Sequence, residues 1–213
     1  MKIDQYLPRQ FVVAGTDTGV GKTLVAAMLA AGLPASYWKP IQSGLSETTD
    51  TKIVQTLSGL PSAFFLPEAY RLKTPISPHA SATLDGTVID RVRLRLPAVE
   101  GRLIVEGAGG LMVPINDQTL LIDMIGEWGL PVLLVGRSRL GTINHTLLSL
   151  AALKGYGIEV LGVVMSGESD DVSRQAIEFY GQVKILAQVP VMPELNAAAI
   201  KTVYSMVFGG DDF

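Results

Sequence analysis

The stretch FVVAGTDTGVGKTLVAAMLAAGL, residues 11–33, constrains the fold more than any other part of the chain. FVVAG (11–15) reads as a buried strand, and TLVAAMLAAGL (23–33) as a helix closing at Gly32. A strand that passes through a glycine-rich turn straight into a helix is the first half of a βαβ unit, whose strands are parallel. The alternation continues down the chain. YWK (37–39), RLIVEG (102–107), PVLLVG (131–136), VLGVVM (160–165) and VKILAQV (183–189) are further β-rich runs, the first stopped by Pro40. Between them, TDTKIVQTLSG (49–59), LLIDMIGEW (120–128), INHTLLSLAALKGYG (143–157), residues 171–180 and residues 196–208 have helical spacing or punctuation. The pattern predicts one α/β domain over residues 1–213, a three-layer fold. Its mostly parallel sheet has about seven strands, covered by helices on both faces.

Composition supports strands buried on two sides. Of the 213 residues 48% are apolar and only 17% charged, below the usual quarter, which also leaves room for a subunit interface. A net charge of −3 gives no reason to expect nucleic acid or an anionic membrane as partner. The absence of cysteine excludes disulfides, zinc thiolates and a thiol nucleophile. MKIDQYLPRQ has no apolar core of the signal-peptide kind, and no apolar run approaches the roughly 18 residues that span a bilayer. The expected compartment is the cytoplasm.

Two segments resist assignment. Residues 60–86, rich in Pro, Ser and Ala, are the least regular, and a long connection in a compact domain is often functional. RVRLRL (91–96) alternates like a strand, yet Asp90 and Pro97 suit a helix end; its arginines are expected on a solvated face.

The turn itself has the chemistry of a phosphate cradle. Backbone N–H groups at a helix N-terminus point at an anion, Lys22 adds a compact positive charge, and the Thr23 hydroxyl can ligate Mg²⁺. Gly19 and Gly21 let the backbone approach phosphates without a Cβ in the way, and with this loop the expected three-layer α/β fold is of the P-loop NTPase type. Five residues separate Gly15 from Gly21, one more than in the standard P-loop. Further on, VEGAGG (105–110) places Glu106 at the C-terminal end of a strand, the edge that faces the ligand crevice in a parallel sheet. A carboxylate there can hold Mg²⁺ directly or through water.

The segments GTDTGVGKT (15–23), WKPIQSG (38–44), SPHASA (77–82), VEGAGGLMVPI (105–115) and LGTINHTLLS (140–149) resemble the dethiobiotin synthetase family in order and in coverage of most of the chain. That family's P-loop carries the same five-residue spacing. The resemblance implies a cytoplasmic Mg²⁺- and ATP-dependent ligase of biotin biosynthesis acting on 7,8-diaminononanoate and CO₂. A carbamate forms on one amine and is phosphorylated by ATP; the second amine then closes the ring, releasing ADP and phosphate.

It also implies roles. Lys22, Lys39 and Thr18 would serve the phosphoryl transfer, and Ser43, with Lys39, would hold the carbamate. Thr23, Asp50 and Glu106 would gather the metal, although Asp50 also suits a plain helix N-cap. Gly19, Val20, Gly21, Leu24, Gly107, Ala108 and Gly109 would surround the nucleotide, with Ser166, Pro190, Val191 and Met192 toward its base and Glu194 as a ribose candidate. Leu140, Gly141, Thr142 and Asn144 open a helix whose N-terminus suits a carboxylate. The resemblance implies that this segment serves the partner subunit of a homodimer. His79 and His145 are expected to be structural, His79 holding the SPH loop.

One departure stands out. Where the family places an asparagine that reads adenine, this chain has Ser166, whose one hydroxyl cannot offer the donor and acceptor of an amide. Two other readings stay open. An amidoligase of large acids shares the loop but needs an ammonia source, for which this chain has neither room nor cysteine. A nucleotide-switched partitioning ATPase usually carries a second lysine in the loop, and TDTGV (16–20) has none.

Overall fold

The computed structural model describes residues 3–209; residues 1, 2 and 210–213 lie outside it, and with them most of the tail GGDDF and both ends of the expected domain. In chain order the elements are β1 (Gln10–Gly15), α1 (Lys22–Gly32), β2 (Ser36–Trp38), β3 (Ile41–Ser43), α2 (Asp50–Ser58), β4 (Phe65–Leu66), β5 (Tyr70–Leu72) and α3 (Pro78–Leu84). There follow β6 (Leu103–Gly110), α4 (Leu121–Trp128), β7 (Val132–Arg137), α5 (Thr142–Gly155), β8 (Val160–Ser166), α6 (Asp171–Gly181), β9 (Ile185–Val189) and α7 (Ala197–Phe208). Seven strands form one sheet in the order β4-β2-β6-β1-β7-β8-β9, and every neighbouring pair is parallel.

The apolar runs are continuous because both faces of the sheet are covered, yet period two still sorts them. Val12 and Ala14 of β1, and Val132 and Leu134 of β7, enter a core built with Ile122, Ile125, Leu150, Leu153 and Ile177 of α4, α5 and α6. Phe11, Val13, Leu133 and Val135 point the other way, into Val25–Ala30 of α1, Val54 and Leu57 of α2, and Ile200 and Phe208 of α7. Helix α1 is buried almost all round because α2 and α7 lie over it. No helix among the described residues is long and apolar enough to cross a membrane.

The topology also fixes where a ligand can sit. From β1 the chain passes through α1 to β2, beyond β6; from β6 it passes through α4 to β7, on the far side of β1. The two connections therefore leave adjacent strands in opposite directions, which opens a crevice at the C-terminal ends of β1 and β6.

Residues 60–86 are more ordered than their composition suggests. They contain β4, β5 and α3, and β5 pairs with β3 in a separate two-stranded parallel sheet. The SPH segment is the first turn of α3 rather than a loop, with Pro78 at its first turn; His79 donates its backbone N–H to Pro114 O at 3.4 Å while its buried Nδ1 has no partner. The ambiguous RVRLRL resolves into a 3₁₀ turn, Arg91–Leu94. Its arginines are exposed, Arg91 pairing with Glu127 and Arg93 lying over the Tyr70 ring at 4.4 Å.

Candidate active site

At the end of β1 the backbone turns back on itself so tightly that Gly15 has no room for a side chain. A Cβ there would lie 2.8 Å from Asp17 O and 2.9 Å from Lys22 Nζ. Gly21 has φ of 101°, in the left-handed region that glycine adopts without steric cost, and it hands the chain to α1. Its Cα also meets the end of β8: a Cβ at Gly21 would lie 2.8 Å from Ser166 Oγ. The loop is braced from the side by Asp17, which accepts from its neighbour Thr18 N at 2.7 Å and from Arg137 Nη2 at 3.0 Å.

Lys22 curls back onto the loop, donating to Asp17 O at 2.9 Å. Burial, helped by the nearby Lys39 ammonium, draws its pKa down to about 8 against the pull of Glu106, Asp50 and Asp17. Thr23, one residue on, donates at 2.9 Å to Glu106 Oε1 and lies 3.0 Å from Asp50 Oδ1. Thr49, not Asp50, caps α2, its side chain accepting from Lys52 N. The Asp50 carboxylate is thereby free to face the crevice from the first turn of the helix.

Lys39 ties the two acids together. Its Nζ lies 2.8 Å from Asp50 Oδ2, 2.9 Å from Glu106 Oε1 and 3.1 Å from Gly107 O, and it is almost fully buried. Burial disfavours its charge, but Glu106 and Asp50 outweigh that and hold its pKa above the usual lysine value. Asp50 is the counterpart: burial pushes it up, and the Lys39 ammonium and the Thr23 hydroxyl bring it below the usual carboxylate range. A hydroxyl and two carboxylates converging within about 3 Å form a hard-oxygen donor set. They suit a divalent cation such as Mg²⁺, which takes one or two carboxylates from protein and the rest from phosphates and water.

Two cavities meet at this cluster. One, of about 460 Å³, runs along Gly19, Gly21, Lys22, Thr23, Leu24 and Glu106 to Leu57 and Leu195. The other, of about 450 Å³, is walled by Gln42, Ser43, Glu47, Ile76, Pro78, Ala108 and Val113. Thr18, Lys39, Asp50, Ile53 and Gly109 line both. The Ser43 hydroxyl beside the second cavity is buried without a hydrogen-bond partner. A larger open groove, about 800 Å³ around Arg91, Leu94 and Trp128, touches none of these residues.

The structure thus brings together Thr18 to Leu24, Lys39, Ser43, Asp50 and Glu106 to Gly109, with Val20 buried beneath the loop. Pro190, Val191 and Met192 form part of a separate open pocket with Glu194 and α7. Leu140, Gly141, Thr142 and Asn144 do not reach the same chain's cavities. Leu140, Gly141 and Asn144 are exposed at the start of α5, while Thr142 is buried with its hydroxyl unpartnered. Sequence reasoning overlooked Arg137, Gln42, which accepts from Asp50 N at 3.0 Å, and Tyr37, which donates to Glu106 Oε2 at 2.9 Å. Tyr37 had left a signal: two residues before Lys39 on one strand, it shares that lysine's face.

The architecture has solved counterparts. MinD of Pyrococcus horikoshii in complex with Mg-ADP superimposes with a TM-score of 0.53 at 12% identity, covering 92% of this chain and 95% of that one; it shares the fold. An AAA domain family profile matches residues 9–199. The ATP-dependent dethiobiotin synthetase of Agrobacterium fabrum is 50% identical over 204 residues, 96% of each chain. That of Rhodopseudomonas palustris strain HaA2 is 48% identical over 207 residues, 97% of each. The chain belongs to the dethiobiotin synthetase family. Membership covers the whole crevice, because the aligned relatives extend over both cavities and over the α5 segment that neither cavity includes. The five-residue loop spacing and the KPIQSG strand end are therefore features of a dethiobiotin synthetase family member, with Lys39 and Glu106 in one buried cluster.

Proposed function

We propose that the chain is an ATP-dependent dethiobiotin synthetase, a cyclo-ligase that forms C–N bonds by way of a phosphorylated carbamate. The observation that carries this reading is the pair of cavities joined at Thr18, Lys39, Asp50 and Gly109. A reaction between ATP and a second small molecule needs two binding spaces that meet where the phosphoryl group passes. The loop cavity has the volume and donors for a triphosphate, and the second is of a size to take the diamine end of 7,8-diaminononanoate with CO₂.

In this reading Lys22 and the loop amides hold the β- and γ-phosphates, and Thr18 stands over the γ-phosphate at the junction. Lys39 lies between donor and acceptor, where it offsets negative charge on both the carbamate and the transferring phosphoryl group. Ser43, whose hydroxyl is unpartnered, donates to the carbamate. Thr23, Asp50 and Glu106 hold Mg²⁺, which when bound neutralises charge between the phosphates. Phosphorylation converts a carbamate oxygen into a leaving group; the second amine then attacks the carbonyl carbon and phosphate departs. The reaction belongs in the cytoplasm, which supplies ATP.

The test is ATP turnover with and without diaminononanoate and bicarbonate. Turnover that depends on both, with one ADP and one phosphate per dethiobiotin, is the expected result; turnover indifferent to them would reject the reading.

We also propose a homodimer in which Leu140, Gly141, Thr142 and Asn144 complete the partner's diamine cavity at the substrate carboxylate. The exposed side of α5, with Leu140 and Leu148 in the open, supports this. Sedimentation should give twice the monomer mass, and mixing Lys39→Ala with Asn144→Ala subunits should restore activity to some sites. A monomeric active enzyme would rule it out. Toward the base, Ser166 takes the place expected of asparagine, so discrimination of ATP from other triphosphates should be weaker than in relatives with the amide. Equal ratios of kcat/KM for ATP over GTP in the two enzymes would contradict this, and Ser166→Asn should raise the ratio.

A further inference from the structure

Glu106 takes hydrogen bonds from three side chains, and one of them has no part in the chemistry described so far. Its side chain is fully buried. Oε1 faces the crevice, taking Thr23 Oγ1 and Lys39 Nζ, each at 2.9 Å. Oε2 faces the core and takes the Tyr37 hydroxyl at 2.9 Å.

The pairing of β2 with β6 explains how a core tyrosine reaches a site carboxylate. Tyr37 lies opposite Ile104 in the parallel register, and Glu106 is two residues further along the same face of β6. That repeat is about 6.6 Å, a distance a tyrosine side chain spans and a phenylalanine misses by its oxygen. The ring is held on its other side by Phe65 of β4, centroids 6.1 Å apart. The hydroxyl is the donor of this bond, because the facing carboxylate can only accept.

We propose that Tyr37 is a positioning residue for the metal site: it engages Oε2 of Glu106 and leaves that carboxylate to face the nucleotide through Oε1 alone. The inference rests on the reading of Glu106 as a metal-holding group. A carboxylate limited to one oxygen suits Mg²⁺, which demands regular octahedral geometry. One free to use both suits Ca²⁺, whose coordination is looser and often bidentate.

The experiment measures the affinity of a non-hydrolysable ATP analogue in EDTA, in Mg²⁺ and in Ca²⁺. It uses the full-length wild type, Tyr37→Phe, Glu106→Gln and the double variant. In Tyr37→Phe the EDTA affinity is expected to stay at the wild-type value while the gain from Mg²⁺ falls about tenfold, the lower end of what losing a partner of a metal ligand costs. The gain from Ca²⁺ should fall less. Adding Tyr37→Phe to Glu106→Gln should change nothing more. A wild-type Mg²⁺ gain in Tyr37→Phe, equal losses in EDTA and Mg²⁺, or full additivity in the double variant would each overturn the proposal. If the wild type shows no metal gain at all, the metal role of Glu106 fails and the proposal with it. If Tyr37→Phe alone does not fold, a soluble double variant supports the coupling, because the neutral amide needs no phenol beside it; two insoluble proteins would reduce Tyr37 to packing and overturn it.

Discussion

Replacing Lys39 with alanine is expected to lower turnover by at least about a hundredfold, the scale of removing one electrostatic stabiliser, while nucleotide affinity in Mg²⁺ stays near that of the wild type. Only the lysine reaches both cavities with a positive charge among the shared lining residues. Lys22 and the loop amides remain in place to hold the phosphates. Removing the ammonium also leaves Asp50 and Glu106 facing each other without the cation that now separates them. A divalent metal would relieve that repulsion, so metal binding in the variant should be as strong as before or stronger. Steady-state turnover and titration with a non-hydrolysable analogue separate the two effects. Near-normal turnover would remove Lys39 from the mechanism, and a collapse of affinity to match the turnover would make it a binding group.

Glu106→Leu carries the second large effect, on stability as well as activity. Three donors converge on this carboxylate. Without it, Lys39 keeps Asp50 and the Gly107 carbonyl, and the Tyr37 hydroxyl is left buried with no acceptor. Breaking one side of a buried charge pair costs about 3–5 kcal/mol, and the remaining Asp50 contact argues for the lower part of that range. Glu106→Gln keeps an acceptor for the phenol and should lose much less. Urea unfolding at constant slope would show the difference directly, and equal midpoints for the two variants would contradict it. Replacing all three groups together, as Tyr37→Phe, Lys39→Met and Glu106→Leu, should recover most of the stability while abolishing turnover, because the buried phenol, ammonium and carboxylate go together and the part-exposed Asp50 keeps the Thr23 hydroxyl.

The nucleotide half of the molecule was legible because each of its parts leaves a local mark. β1 runs without interruption into the glycine turn, α1 begins at the lysine, and Glu106 ends a strand whose apolar residues are unmistakable. The second cavity was less so. β3 and β5 are three residues long, too short for a period-two pattern to register, and their pairing joins segments with the whole of α2 and β4 between them. α3 is built from Pro, Ser and Ala, which in sequence resemble a loop. Asp50 suited a plain helix N-cap in sequence, and only the structure gives that role to Thr49 and turns the carboxylate to the crevice. The brace between Asp17 and Arg137 spans 120 residues and has no sequence signature at all.

The chain leaves the main sheet at Lys39 and Pro40, and the small β3–β5 ribbon, the turn from 44 to 49 and the start of α3 supply most of the second cavity's wall. The loop cavity draws instead on the loop, α1, α2, β6 and Leu195. In the proposed reading, acceptor choice and energy supply thus draw largely on different stretches of polypeptide, which meet where Thr18, Lys39, Asp50, Ile53 and Gly109 line both cavities. On that reading a lineage, or a protein engineer, can recast residues 43–48 and 75–78 for a new acceptor while the machinery for the triphosphate, with Gln42 holding Asp50, is inherited unchanged.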